Sequence, residues 1–142
     1  MPQATYAVTI NRPIEAVFDS VADGENGARW RPGVIDIKRV SGSGLGARYS
    51  QGVRGPMNRR IAADYEVTAF EPNKRLEFRT IAGPVRPHGR YDFEPDGAGT
   101  RLTFSLDAQI DGIRRLFLGG MVQSTMDTEV RNLDNLKRLL ES

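Results

Sequence analysis

One histidine and no cysteine leave this chain few of the side chains that usually carry catalysis. Without cysteine there is no thiolate nucleophile, no disulfide and no Cys-ligated zinc, and a single histidine supplies too few ligands for a conventional zinc site. The sequence calls for no metal and no cofactor. His88 titrates near neutrality and is a candidate acid or base. It lies beside Pro87 in "VRPHGRY", where strict strand alternation points it outward, and only a bulge at Pro87 would turn it inward. The remaining candidates are hydroxyls: Tyr65 and Tyr91, with Tyr49, Thr80 and Gln51. They can orient a polar ligand group by hydrogen bonding, but none is a strong base near neutral pH.

The elements that must position these groups follow from hydrophobic period. "ATYAVTI" (4–10) alternates as a half-buried strand. Pro13 suits the first turn of a helix of about ten residues, with Glu15 at its positive end and Ile14, Val17, Phe18 and Val21 on one face. Asp23-Gly24 ends it, and "ENGAR" has room only for a short second helix before Pro32-Gly33. Six strands follow: "VIDIKRV", "GARYSQGV", "RRIAADYEVTAF", "KRLEFRTI", "RPHGRYDFE" and "TRLTFSLDAQI". Their short turn-forming links predict an antiparallel meander. Leu118, Val122, Met126, Val130, Leu133, Leu136 and Leu140 then recur every three or four residues, predicting one long helix interrupted at Gly119-Gly120 by a kink or a close packing contact.

This order, carried by "RPIEAVFDSVADGENGARWRPGV", "YEVTAFEPNKRLEFRT", "RYDFEPDGAGTRLTF" and "LDNLKRLLE", resembles the START/SRPBCC superfamily, and within it the polyketide cyclase/dehydrase-like branch. The resemblance spans the whole chain. It implies an α+β helix-grip fold of the Bet v 1/START type: a curved antiparallel sheet of about seven strands around a long C-terminal helix, with two short helices after the first strand. It also implies an apolar ligand cavity between sheet and helix. Members range from lipid carriers and hormone receptors to cyclases, so the fold alone assigns no activity.

Strand parity tests the cavity independently. The apolar set is Ala47, Tyr49 and Gln51; Ile61, Ala63, Tyr65 and Val67; Leu76, Phe78 and Thr80; Tyr91 and Phe93; Leu102, Phe104, Leu106 and Ala108. The opposite set is charged: Asp64, Glu66, Glu77, Arg79, Arg90, Asp92, Arg101 and Asp107. A catalytic acid or base must face the substrate, and the ionisable residues of these strands face away. Three inward tyrosines each need a polar partner when buried, and a hydrated or ligand-filled cavity would supply it. The alternative is that these aromatics fill an ordinary core.

Alternation of the connections sends Trp30, Met57, Val85, Phe117 and Met121 to one rim. The only tryptophan then either caps the mouth of the cavity or plugs the end of the core. With Tyr49, Tyr65, Phe78, Tyr91 and Phe104, these residues form the candidate ligand-binding set.

Composition sets the outer limits. The chain has 142 residues, 39% hydrophobic and 27% charged, which fits one soluble globular domain over residues 1–142. The pI is about 9.2, but the net charge is only +2 and the basic residues are dispersed, which argues against a nucleic-acid partner. No signal segment or membrane-inserting run is present, so a cytoplasmic location is expected. Three roles remain: binding of a small hydrophobic molecule (lipid, fatty acid or polyketide-like), polyketide cyclase/dehydratase-type catalysis by cavity tyrosines with or without His88, and a non-catalytic protein partner. Either a monomer or a homodimer is compatible with the sequence.

Overall fold

A computed structural model describes residues 2–83, 85–109 and 112–142, without the side chains of residues 56 and 112–119. The first strand, β1 (Gln3–Ile10), leads into α1 (Ile14–Ala22), a short 3-10 segment over Gly24–Arg29, and then β2 (Val34–Ser41) and β3 (Arg48–Arg54). After β4 (Arg60–Ala62) come β5 (Tyr65–Glu71), β6 (Arg75–Thr80), β7 (His88–Asp96) and β8 (Gly99–Asp107). The helices α2 (Gly112–Arg131) and α3 (Leu133–Glu141) close the chain. The strands make one antiparallel sheet in the order β1-β8-β7-β6-β5-β3-β2, with β4 also paired to β3. It curls around the C-terminal helices in the helix-grip arrangement.

Two departures from simple alternation shape the interior. "RRIAADYEVTAF" divides into β4 and β5 because the Asp64 carboxylate accepts the Gln51 amide hydrogen (3.0 Å), displacing a ladder bond. The register is nonetheless unbroken, since Tyr49 pairs with Tyr65 and Gly52 with Ala62, so Ile61, Ala63 and Tyr65 keep one face. Further along, a bulge between Val67 and Ala69 advances β5 by one residue against β6. That shift reverses parity and turns Phe70 inward, onto Phe18 of α1 at 5.4 Å between ring centroids.

The terminal helix runs on through Gly119-Gly120 and is interrupted instead at Asn132, correcting the expected position of the break. Gly120 is exposed, and a Cβ placed on it would meet nothing within 4 Å, so no close contact explains it. Beyond Asn132, α3 is clamped to the end of β1. Lys137 donates to the Thr9 carbonyl (2.6 Å), Glu141 accepts from the Asn11 amide (2.7 Å), and Arg12 donates to the Leu140 carbonyl (3.0 Å). Leu133 and Leu136 are thereby fully buried, beside Ile10, Val17 and Leu102.

Candidate functional site

The inward rings of the central strands form a continuous row. Tyr49 stacks on Tyr65 (4.9 Å), Tyr65 leans on Phe78 (5.2 Å), Phe78 lies 6.2 Å from Tyr91, and Tyr91 stacks on Phe104 (4.2 Å). Each contact joins neighbouring strands across one face, where aromatic pairs stabilise a sheet most. Glycine makes room twice. A Cβ on Gly89, which pairs with Phe78, would collide with that ring. One on Gly24 would collide with the Tyr65 hydroxyl.

This row separates two spaces of different character. The smaller, of about 40 Å³, lies beneath the loop that follows α1, lined by Gly24, Trp30, Arg31, Tyr49, Tyr65 and Tyr91 among others. The larger, of about 600 Å³, lies between the sheet and α2, and its walls are mainly apolar: Val53, Ile61, Val85, Phe104, Leu106, Val122 and Met126. Gln51 and Phe78 line both.

The 3-10 turn explains how a tryptophan between two arginines becomes buried. Asp23 caps the turn at the Glu25 amide (3.1 Å), and Glu25 in turn accepts the Arg39 amide hydrogen of β2 (2.9 Å). Folded down against β2, the turn drives Trp30 inward to 4% exposure, where Asn135 of α3 donates to its carbonyl (3.1 Å). Its Nε1 is buried with no hydrogen-bond partner among the described residues. Arg31 follows it inward and pairs through Nε with Glu129 of α2, while Nη1 donates to Gln51 Oε1 (2.9 Å). Burial works against the guanidinium charge, but Glu129 more than offsets this and the group stays protonated.

Burial raises the ionisation of the Tyr65 and Tyr91 hydroxyls above the ordinary tyrosine range, and the nearby Arg31 charge offsets only part of this. Both hydroxyls are therefore neutral donors at physiological pH. Neither has a hydrogen-bond partner among the described residues, whereas the Tyr49 oxygen accepts the Gly24 amide hydrogen (3.2 Å). Both rings line the small chamber, and Arg31, the one charged residue of its described lining, is already paired with Glu129.

The structure sorts the residues singled out by sequence. Tyr49, Tyr65, Phe78 and Tyr91 line the small chamber, while Phe78, Phe104, Val85 and Met121 line the large one. Trp30 is not at the mouth: it forms a wall of the inner chamber, closer to the plug that was the other reading. Met57 is not at a cavity either; it sits 87% exposed on the turn between β3 and β4. The Phe117 side chain lies outside the described residues. His88 stays outward, because β7 runs in unbroken register past it. Its Nε2 lies 2.9 Å from Glu77 and its Nδ1 3.6 Å from Asp107, both on the charged face, so it is removed from the candidate acids and bases of the cavity.

Arg31 and Glu129 are the inward ion pair that strand parity alone misses, since neither belongs to a strand. Helical phase carries the signal for Glu129, three residues after Met126 and seven after Val122, on the stripe that faces the sheet. Arg31 carries no comparable signal; only the folding of the 3-10 turn against β2 sends it inward.

The architecture recurs in solved structures at low sequence identity. A Thermus thermophilus protein, TTHA0849, superposes with a TM-score of 0.83 at 23% identity, covering 98% of this chain and 97% of that one. A START superfamily protein from Mycobacterium smegmatis gives 0.78 at 16% identity, with 98% and 97% covered. The di-domain ARO/CYC StfQ of the steffimycin biosynthetic pathway gives 0.80 at 12% identity, and 98% of this chain matches 49% of that protein. No curated protein matches the chain significantly. The model of the family described as polyketide cyclase/dehydrase and lipid transport matches residues 1–141, and the chain belongs to that family.

Proposed function

We propose that the protein binds a small hydrophobic molecule in the cavity between the sheet and α2. The observation that carries this reading is a space of about 600 Å³ with predominantly apolar walls, within the range of small-molecule sites. A family described by cyclisation and lipid transport is consistent with it. Ligand-induced melting shifts against an apolar library, with native mass spectrometry of the purified protein, test the proposal. The expected outcome is stabilisation by several apolar compounds, lost in Thr125→Phe, which places a ring at the cavity wall. A protein that retains nothing and responds to no compound overturns it.

A second reading, a cyclase or dehydratase, is favoured by one observation. The Glu129 carboxylate lines the large cavity and is held by Arg31, which lines the small chamber together with Tyr65 and Tyr91, so a base and hydrogen-bond donors flank one ion pair. Turnover of a poly-carbonyl substrate that falls in Glu129→Gln, while substrate binding persists, is the result this reading requires.

A further inference from the structure

We propose that the inner chamber is a subsite for a carbonyl oxygen, and that the preferred ligand is a neutral ketone, ester or amide whose apolar body occupies the larger cavity. The inference rests on the hydrophobic-binding reading above and adds the chemistry of the head group.

Size comes first. A space of about 40 Å³ compares with the roughly 10–15 Å³ that one water needs on the same kind of measure, so it takes a head of a few atoms and no more. Next is polarity. Tyr65 and Tyr91 line this space, and their hydroxyls, which can donate, have no hydrogen-bond partner among the described residues; a Cβ on Gly24, another residue of the lining, would meet the Tyr65 hydroxyl. A buried donor left unmatched weakens any complex that excludes water from it, so a head group offering an acceptor is selected over a hydrocarbon one.

Charge narrows the class further. The Arg31 guanidinium is paired with Glu129, so the chamber and its wall are already neutral together. A ligand carboxylate seated in the chamber would bring a second negative charge to an Arg31 already paired with Glu129, in surroundings that solvate charge poorly. A carbonyl offers the acceptor without the charge. Gln51 and Phe78 line both spaces, so a molecule whose body fills the larger one meets the smaller beside these two side chains.

Three probes with equal numbers of heavy atoms separate the possibilities: 2-acetylnaphthalene, 2-isopropenylnaphthalene and 2-naphthoate. Isothermal titration calorimetry should rank the ketone about tenfold tighter than the hydrocarbon, the step that one added hydrogen bond to a buried donor gives, with the carboxylate weakest. Tyr65→Phe and Tyr91→Phe together should abolish the preference for the ketone while hydrocarbon binding persists, and either change alone, which deletes only an oxygen, should reduce it if the double variant does not fold. Equal affinities for ketone and hydrocarbon, a tighter naphthoate, or a ketone preference undiminished in both single variants overturns the subsite alone. Failure of all three probes to bind overturns the subsite, and failure of the apolar library as well removes the hydrophobic-binding reading with it.

Discussion

The two ends of the interior are built from the same sheet and differ in what the helices bring to it. Beneath α1 and α3 the space is filled: Ile10, Val17, Leu102, Leu133 and Leu136 have no accessible surface, and Phe18 meets both Phe70 and Phe93 edge-on. Beneath α2 the same alternation of strand residues faces a cavity of about 600 Å³, to which the helix contributes Met121, Val122, Ser124, Thr125, Met126, Thr128 and Glu129. Leucines at helical spacing close one end, whereas the described residues of α2 mix apolar and polar side chains at the wall of an open space. The filled core and the open cavity thus lie under different helices of a shared sheet.

The contrast is broken most directly by truncation at both ends. Leu133→Ala should lower the unfolding free energy by about 2–5 kcal/mol, as for a fully enclosed leucine, measured by urea denaturation. Val122→Ala removes methyl groups that already border open space and should cost less than about 1 kcal/mol. Equal losses would mean that the two ends are packed alike.

The tyrosines at the boundary give a sharper, pH-dependent effect. Burial keeps the Tyr65 and Tyr91 hydroxyls protonated in the folded protein well above the ordinary value of 10.0. Between that value and the raised one, the unfolded chain releases protons that the folded chain holds, so stability falls as pH rises. Below pH 10 these groups add no slope. Above it each contributes up to about 1.4 kcal/mol per pH unit. Urea midpoints at pH 9 and pH 11 should show the loss, and Tyr91→Phe should remove that ring's share.

The smallest effect is expected on the outer face. His88→Ala deletes partly exposed contacts with Glu77 and Asp107 and should change stability by no more than about 1 kcal/mol. Calorimetric titration with any ligand of the cavity should give an unchanged affinity. A loss of binding would mean that the imidazole communicates with the interior.

Much of this was legible because the sheet obeys its simplest rule. Period-two alternation placed Tyr49, Phe78, Tyr91, Leu102 and Phe104 on the correct face, and turn residues placed the strand ends to within a few positions. It failed where the backbone departs from alternation. Phe70 reads as outward until the bulge before Ala69 reverses it, and nothing in "EVTAF" announces a bulge. Met57 was assigned to a rim by connectivity, which locates a loop but not the direction of its side chain. Trp30 and Arg31 depend on a 3-10 turn whose docking is fixed by Glu25 and the Arg39 amide, a contact between segments that no local pattern encodes. The ion pair with Glu129 spans 98 positions of sequence, and only half of it lies on a periodic element.

The edge strand β2 carries one more consequence. Its pairing with β3 slips twice, between Val34 and Asp36 and between Arg39 and Ser41, so its outward row of amides and carbonyls is uneven over a stretch that also carries Lys38 and Arg39. A strand from a second molecule, arriving to extend the sheet, would find an irregular ladder and positive charge where a flat template is needed. The irregularity protects this side of the protein against edge-to-edge aggregation.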